Sequence, residues 1–481
     1  MLAVLTASAI RDAEGRWFAD HPAGDLMGHA ARAVADQAAE LLDQQAPGEA
    51  PPCVLVVAGA GNNAGDALFA AQRLARARPE RIEVLLWPAT GSTHAEALAA
   101  AVEAGAVIVD AGTALDRAPH VSLIIDGVSG LGGRPGLPPT VAAVAGAAEV
   151  HRVLVLAVDL PSGLTADRPG AGVSFQATRT VTFIGHKLAH VALPAAARCG
   201  VVTCVDLGVE APSAEVFCLT GDDIGAGYPW PGPMSDKYSR GVVGLDTGSR
   251  AYPGAAVLGC SGALHAGAGM VRYVGPARAM VLGAHPSVVA AQDSRRPGRV
   301  QAWVCGSGWS ALDADRRARR LDDGVPTVLD AAALLDPPDT LDASTLLTPH
   351  AGELARLLGV DRAAVTDDPL SHSRRAAAET GACVLLKGAT QYSVHPDGRV
   401  LIAEAGPSWT ATAGSGDVLA GVAGTLLAAG VDAWHAGALA ASLQARAAAA
   451  LPGPHAPDEV AAIGLPRALA TLEAARGRTR Q

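Results

Sequence analysis

A repeated alternation of short apolar runs with alanine-rich amphipathic stretches constrains this 481-residue chain most. After the β-branched run Cys53–Ala58, the pattern predicts a helix over residues 67–77, a strand over 83–87 and a helix over 93–103. A second series of the same kind starts near Val242. Strands that alternate with helices are joined by crossover connections, which give mainly parallel sheets with helices on both faces. We therefore predict an α/β fold that binds its ligands at the carboxyl ends of the strands.

The pattern lapses between the two series, in a proline- and glycine-rich stretch that includes YPWPGP at residues 228–233. Proline and glycine interrupt regular structure, so this stretch is the best candidate for a linker. At about 100–200 residues per domain, the length also fits two large domains. We predict a first domain over residues 1–210, a linker over 211–234 and a second domain over 235–481.

The composition restricts the partners of the chain. The formal net charge is −10, whereas binding to a nucleic-acid backbone needs a basic surface. The longest apolar stretch, residues 418–431, is shorter than the ~20 residues that span a bilayer, and the N-terminus lacks the basic region of a signal peptide. The seven cysteines form no CxxC pair, which is typical of free thiols in a reducing compartment. We expect a cytoplasmic homo-oligomer that binds neither nucleic acid nor membranes.

A glycine-rich turn with the sequence GAGNNAGD at residues 59–66 joins the run Cys53–Ala58 to the next helix. Such a turn presents free N–H groups to an anion, and its small residues allow a ligand to approach the backbone. The alternative is an ordinary strand-to-helix turn with asparagine in left-handed positions, which this segment alone does not exclude.

Two more predicted strands of the first domain end in an aspartate. Asp126 precedes the glycine-rich loop 127–133, and Asp159 begins the sequence DLPSG at 159–163. Because the carboxyl ends of parallel strands share one edge, both carboxylates should converge with the turn 59–66. Unpaired like charges there would be costly, so a cation or a shared proton is expected.

Together these three segments resemble the NAD(P)H-hydrate epimerases over most of residues 1–210. The resemblance implies a Rossmann-like parallel α/β sandwich in which Asn63, Asp126 and Ser162 hold a potassium ion. It also implies that Asp159 is the leading acid or base. The residues that it places against the hydrated nicotinamide nucleotide are Asn62, Asn63, Ala64, Gly65, Asp66, Gly130, Leu131, Gly132, Gly133, Arg134, Pro135, Gly136 and Asp159. Since Ala64 and Ala67 stand where the family usually has glycine, a binding module without turnover is an alternative.

In the second domain, the sequence ATAGSGDVL at residues 411–419 opens the longest apolar stretch. Backbone N–H groups in such a turn would hold a phosphate, assisted by the positive end of the helix dipole. Asp417 beside a phosphate is repulsive, so we interpret it as the base that deprotonates the attacking hydroxyl. The alternative is a helix cap by Ser415, worth ~1 kcal/mol, which needs no ligand.

Two further strand ends of the second domain carry polar residues. Lys387, one of three lysines in the chain, follows the predicted strand Cys383–Leu386 and could neutralise transferred phosphate oxygens. A solvated loop lysine is the alternative. His350 and Glu353 lie in the sequence TPHAGE at 348–353. They lack a third zinc ligand nearby, so substrate contact is the better interpretation.

These elements resemble the ribokinase-like ADP-dependent NAD(P)H-hydrate dehydratases over roughly residues 235–475. The resemblance implies a C-terminal ribokinase-like α/β domain that uses ADP as phosphoryl donor, with Mg²⁺. Its implied nucleotide contacts are Lys387, Gly388, Ala389, Thr390, Gln391 and Gly416. Its implied contacts to the hydrate are Ala255, Gly308, His350 and Asp417. Asp236 and Gln444 occupy places where the family often has histidine.

The two resemblances together imply an enzyme that repairs hydrated nicotinamide coenzymes. The first domain would interconvert the R and S hydrates of NADH and NADPH. The second would dehydrate the S hydrate with ADP, giving NAD(P)H, AMP and phosphate. The alternative is a ribokinase-like small-molecule kinase of vitamin type, fused to a non-catalytic nucleotide-binding module. The sequence does not decide between the NADH and NADPH hydrates, or between ADP and ATP.

Overall fold

The computed structural model describes residues 1–22, 24–45, 51–78, 82–293, 295–338 and 340–479. It divides into two compact units, an N-terminal unit Ala3–Ala214 and a C-terminal unit Glu215–Gln481, and Met1–Leu2 belongs with the second. Among the residues described, no helix combines the length and apolar character that crossing a bilayer requires.

The first half of the chain contains the strands β1 (Leu2–Val4), β2 (Cys53–Ala58), β3 (Glu83–Pro88), β4 (Val107–Ile108), β5 (Leu123–Gly127), β6 (Leu154–Val158), β7 (Arg179–Phe183) and β8 (Val201–Val205). Its helices are α1 (Ala7–Asp20), α2 (Leu26–Asp43), α3 (Asn62–Ala77), α4 (Ala95–Glu103), α5 (Ala111–Arg117), α6 (Pro139–His151) and α7 (Leu188–Val191). Short 3₁₀ turns cover Ala118–His120 and Ala195–Arg198.

The sheet of the N-terminal unit has the strand order β4-β3-β2-β5-β6-β7-β8, and its strands pair in parallel. Apolar side chains of α2, α3 and α4 pack on one face, and those of α5 and α6 pack on the other. Because both faces are covered, every residue of β2 is buried and β2 reads as a continuous apolar run. The chain turns to opposite sides of β2 to reach β3 and β5, so the carboxyl ends of β2 and β5 form the switch point where such sheets bind ligands.

The second half contains the strands β9 (Val216–Cys218), β10 (Val242–Asp246), β11 (Met270–Tyr273), β12 (Val289–Ala290), β13 (Ala302–Cys305), β14 (Thr327–Leu329), β15 (Thr345–Leu347), β16 (Cys383–Leu386), β17 (Tyr392–Val394) and β18 (Val400–Ile402). Its helices are α8 (Gly221–Gly227), α9 (Pro253–His265), α10 (Arg278–Ala284), α11 (Ala314–Leu321), α12 (Ala351–Leu358), α13 (Arg362–Asp367), α14 (Pro369–Thr380), α15 (Ser415–Ala428), α16 (Ala433–Ala449), α17 (Pro457–Glu459) and α18 (Leu465–Thr479). Shorter 3₁₀ and π turns cover Ala331–Leu334, Ser408–Thr410 and Val460–Gly464.

The sheet of the C-terminal unit has the strand order β9-β18-β17-β16-β15-β14-β13-β10-β11-β12, with β1 beside β9. The strands from β16 to β12 pair in parallel, whereas β17 is antiparallel to both of its neighbours. α15 is buried on all sides from Val418 to Ala428 and packs against α9 and α16. A helix that is apolar all round belongs in a core. The packing of α15 therefore fixes the position of its N-terminal turn, which begins at Ser415.

The predicted fold class, two α/β domains with mainly parallel sheets, is confirmed. The strands β2 and β16 begin and end where the sequence predicts them. The expected linker 211–234 is wrong in part, because it contains β9 and α8, which belong to the C-terminal unit. β9 pairs with β18, and the side chain of Ile224 on α8 is fully buried in the core.

Candidate active sites

The glycine turn after β2 leads directly into α3. Gly61 is the N-cap residue, and no side chain accepts a hydrogen bond from the first turn of the helix. The amide Nδ2 of Asn63 donates to the carbonyl of Val158 at 2.7 Å, which fixes the side chain beside the end of β6. Ala64 and Ala67 lie within the helix and are fully buried. Neither has a positive φ, so their methyl groups do not strain the turn.

Asp126, at the end of β5, is fully buried and forms no ion pair with a described residue. It accepts hydrogen bonds from the backbone N–H and the hydroxyl of Ser162, at 2.7 and 2.6 Å, and from the N–H of Val128 at 3.3 Å. Burial raises the pKa of Asp126 to about 6, although the bonds from Ser162 oppose this shift. An uncompensated buried carboxylate beside hydroxyl and amide oxygens suits a cation of low charge.

Gly130 brings the loop after β5 against the side chain of Asn63. A Cβ at Gly130 would collide with both the oxygen and the nitrogen of the Asn63 amide. The hydroxyl of Ser162 also bridges this loop, since it accepts from the N–H of Ser129 at 2.9 Å and contacts the carbonyl of Ser129 at 3.2 Å. The structure thus brings the three predicted potassium ligands to adjacent loops at one sheet edge.

Asp159 follows β6 and adopts a left-handed backbone with φ of 64°, a conformation that costs energy and is frequent at functional sites. Its Oδ1 accepts from the ammonium of Lys187 at 2.5 Å and from the hydroxyl of Thr182 at 3.0 Å. Burial opposes ionisation, but the charge and hydrogen bond of Lys187 hold the pKa of Asp159 below its ordinary value. Asp159 is therefore an ionised carboxylate in a buried ion pair.

These groups border a cavity of about 940 Å³ in the N-terminal unit. Most of the residues predicted to contact the substrate line it: Asn62, Asn63, Asp66, Gly130, Leu131, Gly132, Gly133, Arg134, Gly136 and Asp159. Ala64, Gly65 and Pro135 are not among the lining residues. Ala64 is buried against the core, and Gly65 packs against Met27.

Two carboxyl groups of this cavity, Glu14 on α1 and Asp66 on α3, are acidic neighbours of Asp159. Burial and the charges of Asp159 and Glu14 raise the pKa of Asp66 well above its ordinary value. Burial followed by the charge of Asp159 also raises the pKa of Glu14. With only 7% of its surface exposed, Asp66 holds a proton more readily than a solvated aspartate does.

The first turn of α15 forms the corresponding site in the C-terminal unit. Gly414 is the N-cap, with φ of 93° and no side-chain cap. Ser415, considered as a cap from the sequence, instead accepts hydrogen bonds from the amide of Gln444 through its carbonyl, at 2.8 Å, and its hydroxyl, at 3.2 Å. The free N–H groups of a helix N-terminus favour an anion. This arrangement supports the phosphate interpretation over the cap.

Asp417 lies in this first turn, partly withdrawn from solvent. Burial, followed by the charge of Asp330, raises its pKa to about 7, while the charge of Lys387 opposes the shift. A carboxylate with a pKa near the operating pH is an effective general base.

Lys387 follows β16, and its ammonium lies 2.6 Å from Oδ1 of Asp330. A Cβ at Gly416 would lie 3.5 Å from that ammonium, so the lysine adjoins the turn of α15. Burial opposes its charge, but Asp330 and Glu353 raise the pKa of Lys387 above its ordinary value. The remaining predicted nucleotide contacts, Gly388, Ala389, Thr390 and Gln391, continue this loop and are partly or fully exposed.

The predicted contacts to the hydrate lie on neighbouring loops. Gly308, with φ of 69°, packs so closely on Ala255 that a Cβ at Gly308 would lie 2.5 Å from the Ala255 methyl group. His350 is the N-cap of α12, since its Nδ1 accepts from the N–H groups of Gly352 and Glu353, at 3.0 and 3.2 Å. The sequence TPHAGE thus contains the start of a regular helix. The imidazole Nε2 remains on an exposed side chain.

Sequence reasoning missed three residues of these sites. Glu14 comes from α1, far from the motifs in sequence. Lys187 belongs to none of the motifs considered in the sequence. Asp330 directly follows β14, much as Asp126 lies at the end of β5, and this strand-end position was a signal that could have revealed it.

Comparisons with known proteins match each half of the chain to a family. Residues 23–189 match the family described as YjeF-related protein N-terminus, and residues 243–469 match the NAD(P)H-hydrate dehydratase family. The fold and these matches thus define a two-domain enzyme that joins a YjeF-type domain to a NAD(P)H-hydrate dehydratase domain.

More specifically, the chain belongs to the family of the bifunctional NAD(P)H-hydrate repair enzymes. The Mycobacterium tuberculosis member is 42% identical over 442 residues, which cover 90% of each chain. The Mycobacterium leprae member is 42% identical over 462 residues, which cover 93% of this chain and 94% of its own. An ADP/ATP-dependent NAD(P)H-hydrate dehydratase from Bacillus subtilis, crystallised with ATP and Mg²⁺, is 24% identical over 53% of this chain and 97% of its own, with a TM-score of 0.48.

Proposed function

We propose that the C-terminal unit dehydrates the S hydrates of NADH and NADPH with ADP, and that the N-terminal unit interconverts the R and S hydrates. The observation that carries the proposal is the position of Asp417, a carboxyl with a pKa of about 7 in the uncapped first turn of α15, beside Lys387. The family match favours dehydration over the small-molecule kinase. A cytoplasmic location and a homo-oligomer belong to the same proposal.

In the dehydratase site, the turn of α15 and Lys387 would hold the phosphates of ADP. Asp417 would take the proton of the hydrate's hydroxyl, whose oxygen attacks the terminal phosphorus of ADP, so that AMP leaves. The phosphorylated oxygen then departs as phosphate, pushed out by the electron pair of the ring nitrogen, and loss of the neighbouring ring proton restores NAD(P)H. The described residues contain no cluster of three or more metal-ligating side chains of the His, Cys, Asp and Glu type. A Mg²⁺ ion that is held mainly by phosphates and water needs few protein ligands, so it is compatible with this site. It would neutralise phosphate charge.

In the epimerase site, inversion at one ring carbon requires a group that accepts a proton and a group that donates one. The ionised Asp159 would be the base, held in place by Lys187, and the protonated Asp66 would be the acid. Asn63, Asp126 and Ser162 would hold potassium, which supplies the positive charge that the buried Asp126 lacks. The bound ion would fix the loops after β5 and β6 around the substrate.

The variant Asp417→Asn tests the dehydratase assignment. Mixed hydrates are incubated with ADP or with ATP, and the recovery of reduced coenzyme is followed by absorbance. Loss of a general base costs ~10²–10⁴ in rate, whereas ADP binding by calorimetry should persist or tighten slightly, since a negative charge beside the phosphates is removed.

Asp432→Asn is the matched control, because Asp432 is a true N-cap, of α16, and accepts from the N–H of His435. Asparagine is also a good cap, so this variant should keep its activity. An Asp417→Asn enzyme that restores NADH at near the wild-type rate would refute the mechanism.

A further inference from the structure

Asp330 is a buried carboxylate that the mechanism above does not use. It lies after β14 with 3% of its surface exposed. Its Oδ1 receives the ammonium of Lys387 at 2.6 Å and the hydroxyl of Thr348 at 2.8 Å, and its Oδ2 receives the hydroxyl of Ser307 at 2.8 Å. Burial opposes ionisation, but the charge of Lys387 and these bonds hold the pKa of Asp330 below its ordinary value. The side chain is thus a fixed negative charge.

The pair formed by Asp330 and Lys387 adjoins the catalytic turn. Of the described charged groups, Asp330 and Lys387 are those that act on Asp417, and Glu353 acts on Lys387 from α12. The charge of Lys387 lowers the pKa of Asp417, because a nearby positive charge favours the ionised form of a carboxyl group. Without Asp330, the same lysine that binds phosphate would therefore weaken the base.

We propose that Asp330 is a positioning residue of the dehydratase, which acts through Lys387 to keep Asp417 an effective base at neutral pH. This inference rests on the proposed function of the C-terminal unit. In the empty site, Asp330 neutralises the ammonium and holds it beside Gly416. When phosphates enter, Lys387 can turn toward them, because the hydroxyl groups of Ser307 and Thr348 continue to satisfy the Asp330 carboxylate.

The alternative is that the buried pair only stabilises the fold. If the pair is purely structural, its loss should lower the amount of folded enzyme, or lower the rate by the same factor at every pH. A pair that tunes Asp417 would change the pH at which the rate falls. The acidic limb of the pH profile therefore separates the two roles.

The experiment measures ADP-dependent recovery of reduced coenzyme from pH 5 to 9, at low ADP and hydrate concentrations, for wild type, Asp330→Asn and Ser307→Ala. In Asp330→Asn the ammonium of Lys387 is no longer neutralised, so the acidic limb should move down by about one pH unit or more. The plateau rate should fall, because the base is weaker. Ser307→Ala removes a hydrogen bond to Asp330 without a change of charge, so its limb should stay at the wild-type position.

An active Asp330→Asn enzyme whose limb stays in place, with a uniform loss of rate, would overturn the inference. If Asp330→Asn does not fold, Lys387→Gln is compared with the double variant Lys387→Gln/Asp330→Asn, which contains no buried charge at this pair. Lys387→Gln should move the limb up, and the second change should move it back down by about one unit. Identical limbs in these two variants would also overturn the inference. Absence of ADP-dependent recovery in the wild type would instead refute the proposed function.

Discussion

Asp126 and Asp417 are carboxyl groups withdrawn from solvent, and burial raises the pKa of each, to about 6 and about 7. Asp159 and Asp330 are also buried, yet a lysine partner keeps the pKa of each below its ordinary value. When the surroundings shift the pKa values of similar groups in opposite directions, as here, those groups are candidates for acid and base roles. At this scale, the placement of a lysine decides in which direction the pKa of each buried carboxyl moves.

The pH dependence of dehydration follows from Asp417. A general base works as the carboxylate, so the rate should be constant above its pKa of about 7 and fall tenfold per pH unit below it. The measurement uses low ADP and hydrate concentrations, where the rate reports groups of the free enzyme. A dehydration rate that stays flat down to pH 5 would contradict a base with this pKa.

Sequence reasoning located Asp126, Asp159 and Asp417 because each stands at a strand end or helix start next to a loop or turn that contains glycine. Asp330 has the strand-end position but no glycine-rich loop after it, so it gave a weaker signal. Glu14 could not be predicted from spacing, because tertiary packing alone brings α1 to the cavity. A partner distant in sequence, such as Lys387 for Asp330, becomes evident only once the strand order is known.

At the scale of elements, α3 and α15 begin in the same way. Each follows a glycine turn, and neither has a side-chain cap. The uncapped amides are left for water or a ligand to pair with, so both turns can receive an anion. At the first turn of α3, the loop after β5 packs against the side chain of Asn63, and Gly130 makes this contact.

Gly130→Ala should reduce epimerisation by more than about tenfold, because the new methyl group would displace the Asn63 amide and ~1 Å of misplacement in a site can cost ~10² in rate. Gly146→Ala on α6 of the same unit is the control, since a Cβ there would meet no atom within 4 Å and Gly146 does not line the cavity. Epimerisation is followed by separation of the R and S hydrates, with dehydration by the same enzyme as an internal reference. Equal epimerase rates in the two variants would mean that Asn63 is not part of the site.

Potassium should be required for epimerisation but not for binding of ADP. Asp126 supplies one charge, while Asn63 and Ser162 offer neutral oxygens, which suits a large monovalent ion better than a hard divalent one. Exchange of potassium for choline at constant ionic strength should lower the epimerase rate at least tenfold, and Mg²⁺ should not restore it. Full epimerase activity after exhaustive removal of potassium would exclude this role.

The sequence predicted long, buried elements best. β2 and β13 are continuous apolar runs whose ends the neighbouring loops define. The hairpin β17–β18 was missed, although HPDG at residues 395–398 is a turn signal between its strands. β9 has three residues, too few to show a period, and its pairing with β18 is a long-range contact that local patterns do not encode.

For the whole molecule, each unit has its own hydrophobic core and its own site. The N-terminal clusters and the C-terminal cluster share no residue, which is the property of domains that can fold separately. The boundary between the units lies at Ala214 and Glu215, ahead of the proline-rich segment from which the sequence suggested it.

Two C-terminal fragments, residues 215–481 and 235–481, test this boundary. The longer fragment should fold, bind ADP and dehydrate the S hydrate. It lacks β1, the edge strand beside β9, and with Met1 a partly exposed ion pair between the terminal amine and Asp223, which is worth ~0–1 kcal/mol. The shorter fragment also lacks β9 and α8, and with them the buried side chains of Leu219, Ile224 and Tyr228. It further loses the hydrogen bond from the Tyr228 hydroxyl to the carbonyl of Ala266, of 2.9 Å.

Each lost apolar side chain removes ~1.5–3 kcal/mol of burial, and the sum is comparable with the ~5–15 kcal/mol that stabilises a domain. The shorter fragment should therefore be insoluble, or it should unfold at a temperature well below that of the longer fragment. Thermal unfolding with and without ADP is the measurement, and residues 3–214, assayed for epimerisation, are the complementary control. Equal melting temperatures for the two C-terminal fragments would show that β9 and α8 are a linker after all.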